Sequence, residues 1–368
     1  MKLSPIARRR WRNFSANRRA FYSLWIMSAL LFVSLFAEFV ANDKPLLVSY
    51  RGEWRVPVLN FYSEQQYGGE FGSEADYTSA EVKCLIRSGG LDACLDDPQG
   101  IFKDAADGVV AGEAVEKGWM LWPLIPYHFT TVNYDVLTAP SAPDVNHWLG
   151  TDDETRDIGA RIIYGFRISM LFALTVTIVT SVLGIAAGAV QGFFGGWVDL
   201  FFQRFIEIWT SMPTLYVLII LGSIFRMNFY LLTLIIIAFG WTALVGVVRA
   251  EFLRARNFEY VRAAQALGVS DRTVMFRHIL PNALVATVTL LPFIIVGAIA
   301  TLTGLDFLGF GLPASYPSLG ELAQQAKRYI MSPHLGIAAF VTMTVMLSLL
   351  VFIFEGVRDA FDPRKIYV

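Results

Sequence analysis

Charge is scarce in this chain. Asp, Glu, Lys and Arg make up 17% of its 368 residues, against about 25% in soluble domains. With a mean hydropathy of +0.50, the shortfall excludes an ordinary soluble domain and points to an integral membrane protein. Cysteine is almost absent: Cys84 and Cys94 are the only two. No histidine lies near them, since His128 is far along the chain, so no metal site is expected. No G-x-x-x-x-G-K-[ST] occurs, which removes a P-loop nucleotide site. Neither H-E-x-x-H nor G-x-S-x-G occurs, so zincin and serine-hydrolase chemistry are not expected. The lone His278 supports no catalytic role, and the chain is not read as an enzyme. A large cytoplasmic output domain is missing, which counts against a membrane sensor. Paired intramembrane carboxylates are missing too, with Glu207 the single candidate, which counts against an ion-coupled secondary transporter.

Long apolar runs are what the chain does have. A membrane-spanning helix needs about 20 apolar residues, and six segments qualify: 20–41, 166–190, 200–225, 229–249, 283–305 and 334–355. The third is the least clean, because Arg204 and Glu207 fall in its first turns. They sit three apart on one helix face, and serve either a transport pathway or the membrane edge by snorkelling. Pro213 and Pro292 should kink their spans. Gly184, Gly188 and Gly192 give a four-residue small-residue ridge. Packing within the chain is the preferred reading of that ridge, over a subunit interface.

Basic residues set the orientation. Residues 1–19 carry Lys2, Arg8, Arg9, Arg10, Arg12, Arg18 and Arg19 and no acid, so the N-terminus is expected in the cytoplasm, with an uncleaved first span. The segment 42–157 holds 20 acids against 8 Lys and Arg and is expected outside. Alternation over Leu46, Val48, Tyr50 and then Trp54, Val56, Val58 suggests strands, and residues 79–117 look helical. A small α/β domain is expected there. In an oxidising compartment Cys84 and Cys94 favour a disulfide, though two free thiols also satisfy the sequence. Thr151 followed by Glu154 has the capping-box spacing, which predicts an amphipathic surface helix before the second span. Span counting leaves 250–282 and the C-terminal tail 357–368 inside.

The inside segment 257–282 reads NFEYVRAAQALGVSDRTVMFRHILPN. Asn257 to Leu267 has helical periodicity, and Gly268 can take the positive φ that ends a helix. Ser270 can cap the next helix, with Asp271 favourable in its first turn. Pro281 stops that pattern or starts the next span. Ala263 and Ala264 are small enough for a partner surface to approach. On physics alone, this is either a rigid lever that docks a soluble partner or an ordinary basic loop.

The same residues resemble the EAA-type coupling loop of ABC importer permeases, in which EAA is followed by three residues, Gly, nine residues and I-x-L-P. Ala263, Ala264, Gly268, Leu280 and Pro281 fall in register. Arg262 stands where the pattern has Glu, and His278 occupies the slot of the Ile, with Ile279 one place later. The segments 146–169, GFFGGWVD (192–199), SMPTL (211–215), DFLGFGLPASYPSLGEL (306–322) and VRDAFDPRK (357–365) resemble dipeptide and oligopeptide permeases in the same order. Thr155 stands where that pattern usually has Gly. Residues 41–64 and 117–127 narrow the likeness to Yej-type peptide permeases. Lys83 to Glu116 reads as an insertion, which would make a disulfide particular to this chain.

The resemblance implies an all-α polytopic protein of the type I ABC importer permease fold, with six spans and an α/β periplasmic domain between the first two. It implies a bacterial inner-membrane subunit with both termini cytoplasmic, carrying oligopeptides, with microcin C-like peptide antibiotics as a further substrate class. The implied partners are a second homologous permease, a cytoplasmic ABC ATPase with two nucleotide-binding domains, and a periplasmic peptide-binding protein, all in a lipid bilayer and without nucleic acid. No cofactor is implied on this chain; ATP and Mg²⁺ would sit on the ATPase. The coupling contacts would be Arg262, Ala263, Ala264, Gly268, Ser270, Asp271, Leu280 and Pro281. Arg204, Glu207 and Pro213 would border the pathway, and Phe307, Phe310 and Leu312 would face the binding protein.

Overall fold

The computed structural model describes residues 5–107, 109–110, 113–114 and 117–361. Lys2, Arg364, Lys365 and the rest of the tail beyond Phe361, used above for orientation, lie outside the described residues. Two compact units form. One comprises 1–31, 165–328 and 336–368; the other comprises 32–164 and 329–335.

The second unit is built on a three-stranded antiparallel sheet in the order β2 (Glu53–Arg55), β1 (Leu47–Tyr50), β5 (Trp119–Leu121). A separate two-stranded pair joins β3 (Val109–Val110) and β4 (Glu113–Ala114). Period-2 alternation turns Val48 and Tyr50 into the core, where they meet α3 (Ala80–Ser88). The strand expected to run on to Val58 ends at Arg55, because Pro57 cannot donate to a ladder. The Ser79 hydroxyl caps α3 by accepting from Val82 N at 3.2 Å. Buried Tyr67, Tyr77, Val82, Leu85 and Ile86 complete the core. Two short helices follow, α4 (Ala93–Asp96) and α5 (Pro98–Asp107). Cys84 on α3 and Cys94 on α4 are joined by a disulfide, with Cα atoms 5.6 Å apart.

The capping box at Thr151 does not form. Asp152 accepts from the backbone N–H of Glu154 and Arg156, both at 2.9 Å, and folds 151–157 into a turn closed by a Thr151–Asp157 bridge. A short carboxylate satisfies two amides where the hydroxyl could satisfy one. The helix begins later, with the Asp157 side chain accepting from Ala160 N at 2.8 Å. That helix, α6 (Ile158–Phe194), is 37 residues long, about 55 Å at 1.5 Å per residue. The expected surface helix and second span are therefore one rod.

Thr155 has φ +59°, a left-handed conformation that is costly for a β-branched residue. This is the position where the family pattern usually has Gly. Its Oγ1 accepts from Asn133 N at 3.0 Å. Thr155→Ala loses that bond and keeps the strain, whereas Thr155→Gly relieves it. The usual Ala-over-Gly order should thus invert: in thermal melts, Thr155→Gly should unfold above Thr155→Ala, with a gap of about 1 kcal/mol.

The first unit is helical. Among the described residues, four helical stretches are long and apolar enough to cross a membrane: α6, Phe229–Ala255, α14 (Leu291–Leu308) and α16 (Pro333–Phe361). The second of these is α9 (Phe229–Gly240) and α10 (Val245–Ala255), joined by a 3₁₀ turn. A fifth arises if α7 (Gly196–Thr210) and α8 (Thr214–Ile224) count as one span bent by 63°. The bend falls at Pro213, which caps α8. The first expected span is shorter than read. After α1 (Pro5–Ala16), α2 runs from Arg18 to Leu35, 18 residues, or about 27 Å against a core of about 30 Å. The fifth expected span is divided into α13 (Leu280–Val288) and α14, with Pro292 in the first turn of α14, where its missing N–H costs nothing.

The glycine ridge packs within the chain. A Cβ on Gly184 would lie 2.6 Å from Trp241 O; on Gly188, 2.7 Å from Val245 O; on Gly192, 2.5 Å from Arg249 O. The backbone of α6 therefore touches the 3₁₀ turn at Gly184 and α10 at Gly188 and Gly192, as small residues allow.

Candidate functional site

Residues 256–281 form a lever-shaped connection. The α10 helix ends at Ala255, and α11 (Glu259–Ala266) follows after a short break. Gly268, at φ +76°, ends α11 in a Schellman arrangement. Val269 N donates to Ala264 O at 3.1 Å and Gly268 N to Gln265 O at 2.9 Å, which satisfies two orphan carbonyls. Ser270 stands at the next N-cap position, with Asp271 in the first turn, but its hydroxyl bonds Thr273 Oγ1 at 2.9 Å and makes no backbone cap. The three-residue α12 (Asp271–Thr273) widens into a π-helix over Val274–Ile279 before Pro281 enters the first turn of α13. Pro281 has no N–H, and its ring crowds the preceding turn, so the widened backbone has a local cause.

The lever has two faces. Val261, Ala264, Val274, Met275 and Ile279 are buried against Val248, Phe252 and Ala283. Ala264 therefore faces the core, and only Ala263 of the small pair lies on the outer surface. That outer surface carries Leu267 at 84% exposure, Phe276 at 66%, and Tyr260, with Arg262, Arg272 and Arg277 exposed around them. Leu280 is half-buried and packs on the core.

Two arginines, Arg249 on α10 and Arg256 at the start of the lever, tie this region to α7 and α6. Arg249 on α10 binds Asp199 in the first turn of α7 through Nε at 2.5 Å and Nη2 at 2.6 Å. Arg256 Nη1 donates to Phe193 O at 3.3 Å, at the C-terminal end of α6, where cations are favoured. Neither tie is visible in the spacing, since the partners lie 50 and 63 residues apart. A planar fork on a carboxylate is not replaced by an ammonium. Arg249→Lys should accordingly lower stability nearly as much as Arg249→Ala, each by about 2 kcal/mol, which thermal melts of the two variants check.

Arg204 and Glu207 pair on α7 at 2.6 Å, both well exposed, a contact worth little by itself. No residue of α7 is buried, and only Leu218 of α8 is, although Trp197, Phe201 and Ile208 are large and apolar.

The segment after α14 is organised by a residue that the sequence reading passed over. Asp306 is 4% exposed. It accepts from Leu312 N at 2.7 Å and from the Ser318 hydroxyl. A Cβ on Gly311 would strike its carboxylate, so the glycine is required for the loop to close. The available signal was a carboxylate at the end of an uncharged apolar run, which must find donors once buried. Phe307 belongs to the last turn of α14 and not to the loop; its carbonyl accepts from Gln324 Nε2 at 3.1 Å, and the Lys327 ammonium lies 5.6 Å from its ring. Phe310 is exposed and Leu312 half-buried. Gln324 and Lys327 belong to α15 (Leu319–Arg328).

A second cluster missed in the sequence lies in the other unit. His147, Asp152, Arg156, Asp157 and Arg161 are all buried. Arg156 Nε binds Asp152 Oδ2 at 2.7 Å, Arg161 Nε reaches the same oxygen at 3.3 Å, and His147 Nδ1 meets Asp157 Oδ2 at 2.8 Å. These groups fix the turn that launches α6.

Residues 180–367 match the family model of the binding-protein-dependent transport system inner membrane component. Residues 4–52 match the N-terminal TM domain of oligopeptide transport permease C. The chain is 50% identical over 390 residues to the peptidoglycan transport system permease protein YejE of Agrobacterium fabrum, covering 99% of this chain and 94% of that one. It is 50% identical over 365 residues to the inner membrane ABC transporter permease protein YejE of Escherichia coli K12, covering 99% of each. It is 34% identical over 239 residues to the oligopeptide transport system permease protein OppC of Lactococcus lactis subsp. lactis, covering 64% of this chain and 81% of that one.

Proposed function

The chain belongs to the family of inner membrane components of binding-protein-dependent transport systems, as an ABC peptide permease, and from that we propose how it works. It pairs with a second, homologous permease and forms a peptide pathway at their interface. It crosses the membrane six times, with α2 as the first span, both termini in the cytoplasm, and residues 42–157 in the periplasm. An ATPase docks on the outer face of 257–281, and a peptide-binding protein delivers substrate near Phe307, Phe310 and Leu312. The substrates are oligopeptides, including peptidoglycan-derived peptides and microcin C-like compounds. Arg204, Glu207 and Pro213 border the pathway.

The observation that carries this reading is the two-faced lever. Its inner face is packed into α10 and α13, so a push on the outer face cannot be absorbed locally. Closure of the ATPase moves α11 as a body, and the α6–α10 glycine contact and the Arg249–Asp199 tie pass that motion to α6 and α7. Arg262, standing where the family pattern has Glu, selects an ATPase cleft with an acidic residue opposite it. The unburied α7–α8 pair supports a permease partner, because a soluble or lipid environment alone leaves its polar pair Arg204–Glu207 without a role.

Affinity purification of the tagged chain from native membranes, followed by mass spectrometry, tests the proposal. A second permease and a P-loop ATPase should co-purify. Recovery of this chain alone, under detergent conditions that preserve another ABC complex, would overturn it.

A further inference from the structure

We propose that the unit formed by residues 32–164 binds a short peptide with free ends in a cleft between Lys83 and Asp135. The cleft has a volume of about 570 Å³, within the range of about 300–1,000 Å³ typical of small-molecule sites. Lys83 projects from α3, and Asp135 comes from the irregular segment that follows β5. Both line the cavity, and neither has an ion-pair partner among the described residues. Two opposite charges that line one cavity without pairing with each other complement a ligand that is charged at both ends. Trp122 and Tyr127, both half-buried, supply its aromatic wall, with Tyr134 standing exposed among the lining residues. Aromatic walls give contact area without demanding one particular side chain, as a carrier of varied peptides requires.

The cleft is polarised, which sets the direction of the ligand. Lys83 and Trp122 also border a second cavity of about 490 Å³, lined by Arg87 and Lys117, so this end is cationic. At the other end Tyr127 has its phenol pKa pushed up, first by burial and then by Asp157, Asp144 and Asp135, which marks a negative field. The peptide carboxylate therefore lies at Lys83 and the ammonium at Asp135. Acidic side chains near the C-terminus extend toward Arg87. Tyr127 stays protonated and can donate a hydrogen bond.

The inference rests on the peptide-permease reading and places a substrate contact on this chain in addition to the binding protein. The test uses the full-length chain in lipid nanodiscs and calorimetric titration with tri-alanine and with N-acetyl-tri-alanine amide. The free tripeptide should bind at least tenfold more tightly than the blocked one. Lys83→Gln and Asp135→Asn should each weaken tri-alanine at least tenfold, while Lys44→Gln, a cation already paired with Glu74, should leave it unchanged. Equal affinity for the free and blocked peptides, measured on the unmodified chain, overturns the proposal without relying on any variant folding. So does wild-type affinity in Lys83→Gln. Uptake by the intact transporter without binding here would sink this site alone. Binding here without any peptide uptake would sink the transport reading alone.

Discussion

Gly268→Pro will leave the chain inserted and folded, but peptide uptake will fall at least tenfold and ATP hydrolysis by the assembled transporter will no longer depend on peptide. The expectation follows from the turn that ends α11. Gly268 sits at φ +76°, and proline is locked near −65°. The substitution also deletes the N–H that donates to Gln265 O. Both Schellman bonds break, and α11 is released from the segment that re-enters the core at Val274. The outer face can still bind an ATPase, yet its displacement no longer reaches α13. Nothing within 4 Å of Gly268 would meet an added Cβ, so sterics are not the issue and backbone conformation is. Gly268→Asn supplies the control, because asparagine enters the left-handed region at modest cost. It should keep most of the uptake. Reconstituted transport and ATPase assays on the three proteins decide the matter: full activity in Gly268→Pro would remove the lever from the mechanism.

Gly192→Val should be more severe and of a different kind. Any Cβ there would lie 2.5 Å from both Arg249 O and Phe252 Cβ, and valine adds two methyls beyond it. No rotamer relieves a clash with backbone, so α6 and α10 must separate. Overpacking typically costs about 1–3 kcal/mol, but here separation also strips burial from Phe252 and Val248, both fully buried, and stretches the Arg249–Asp199 pair. The chain should fail to accumulate, or should melt well below the native protein. Gly192→Ala should lie between them. Wild-type levels of folded Gly192→Val in membranes would show that the contact between these helices is dispensable.

The sequence revealed most where one residue type dictates one backbone state. Gly268 could be placed at the helix end before any coordinates, because few other residues adopt its φ, and the Gly184–Gly188–Gly192 ridge identified a packing seam through its spacing alone. Pro213 marked the bend for the same reason. What stayed hidden was chemistry brought together across long separations. The Arg249–Asp199 fork joins residues 50 apart, and no local pattern announces which arginine in or beside the lever will pair. The cluster around Asp152 defeated a local rule outright: Thr151 and Glu154 have the spacing of a capping box, but a carboxylate one residue away captured the amides first. Hydropathy also misjudged the ends of helices. Arg18 and Arg19 are helical yet too polar for a span, and Pro292 starts a helix where the apolar run reads through without interruption.

The bent α7–α8 pair, apolar and almost wholly unburied, has a consequence for how the cell regulates this chain. Lipid can cover its apolar side chains, whereas the exposed Arg204–Glu207 pair is better served by a protein surface. With the proposed second permease covering this elbow, the lifetime of the chain should follow the abundance of that partner more than its own rate of synthesis, and a pulse-chase with and without the partner reads the difference.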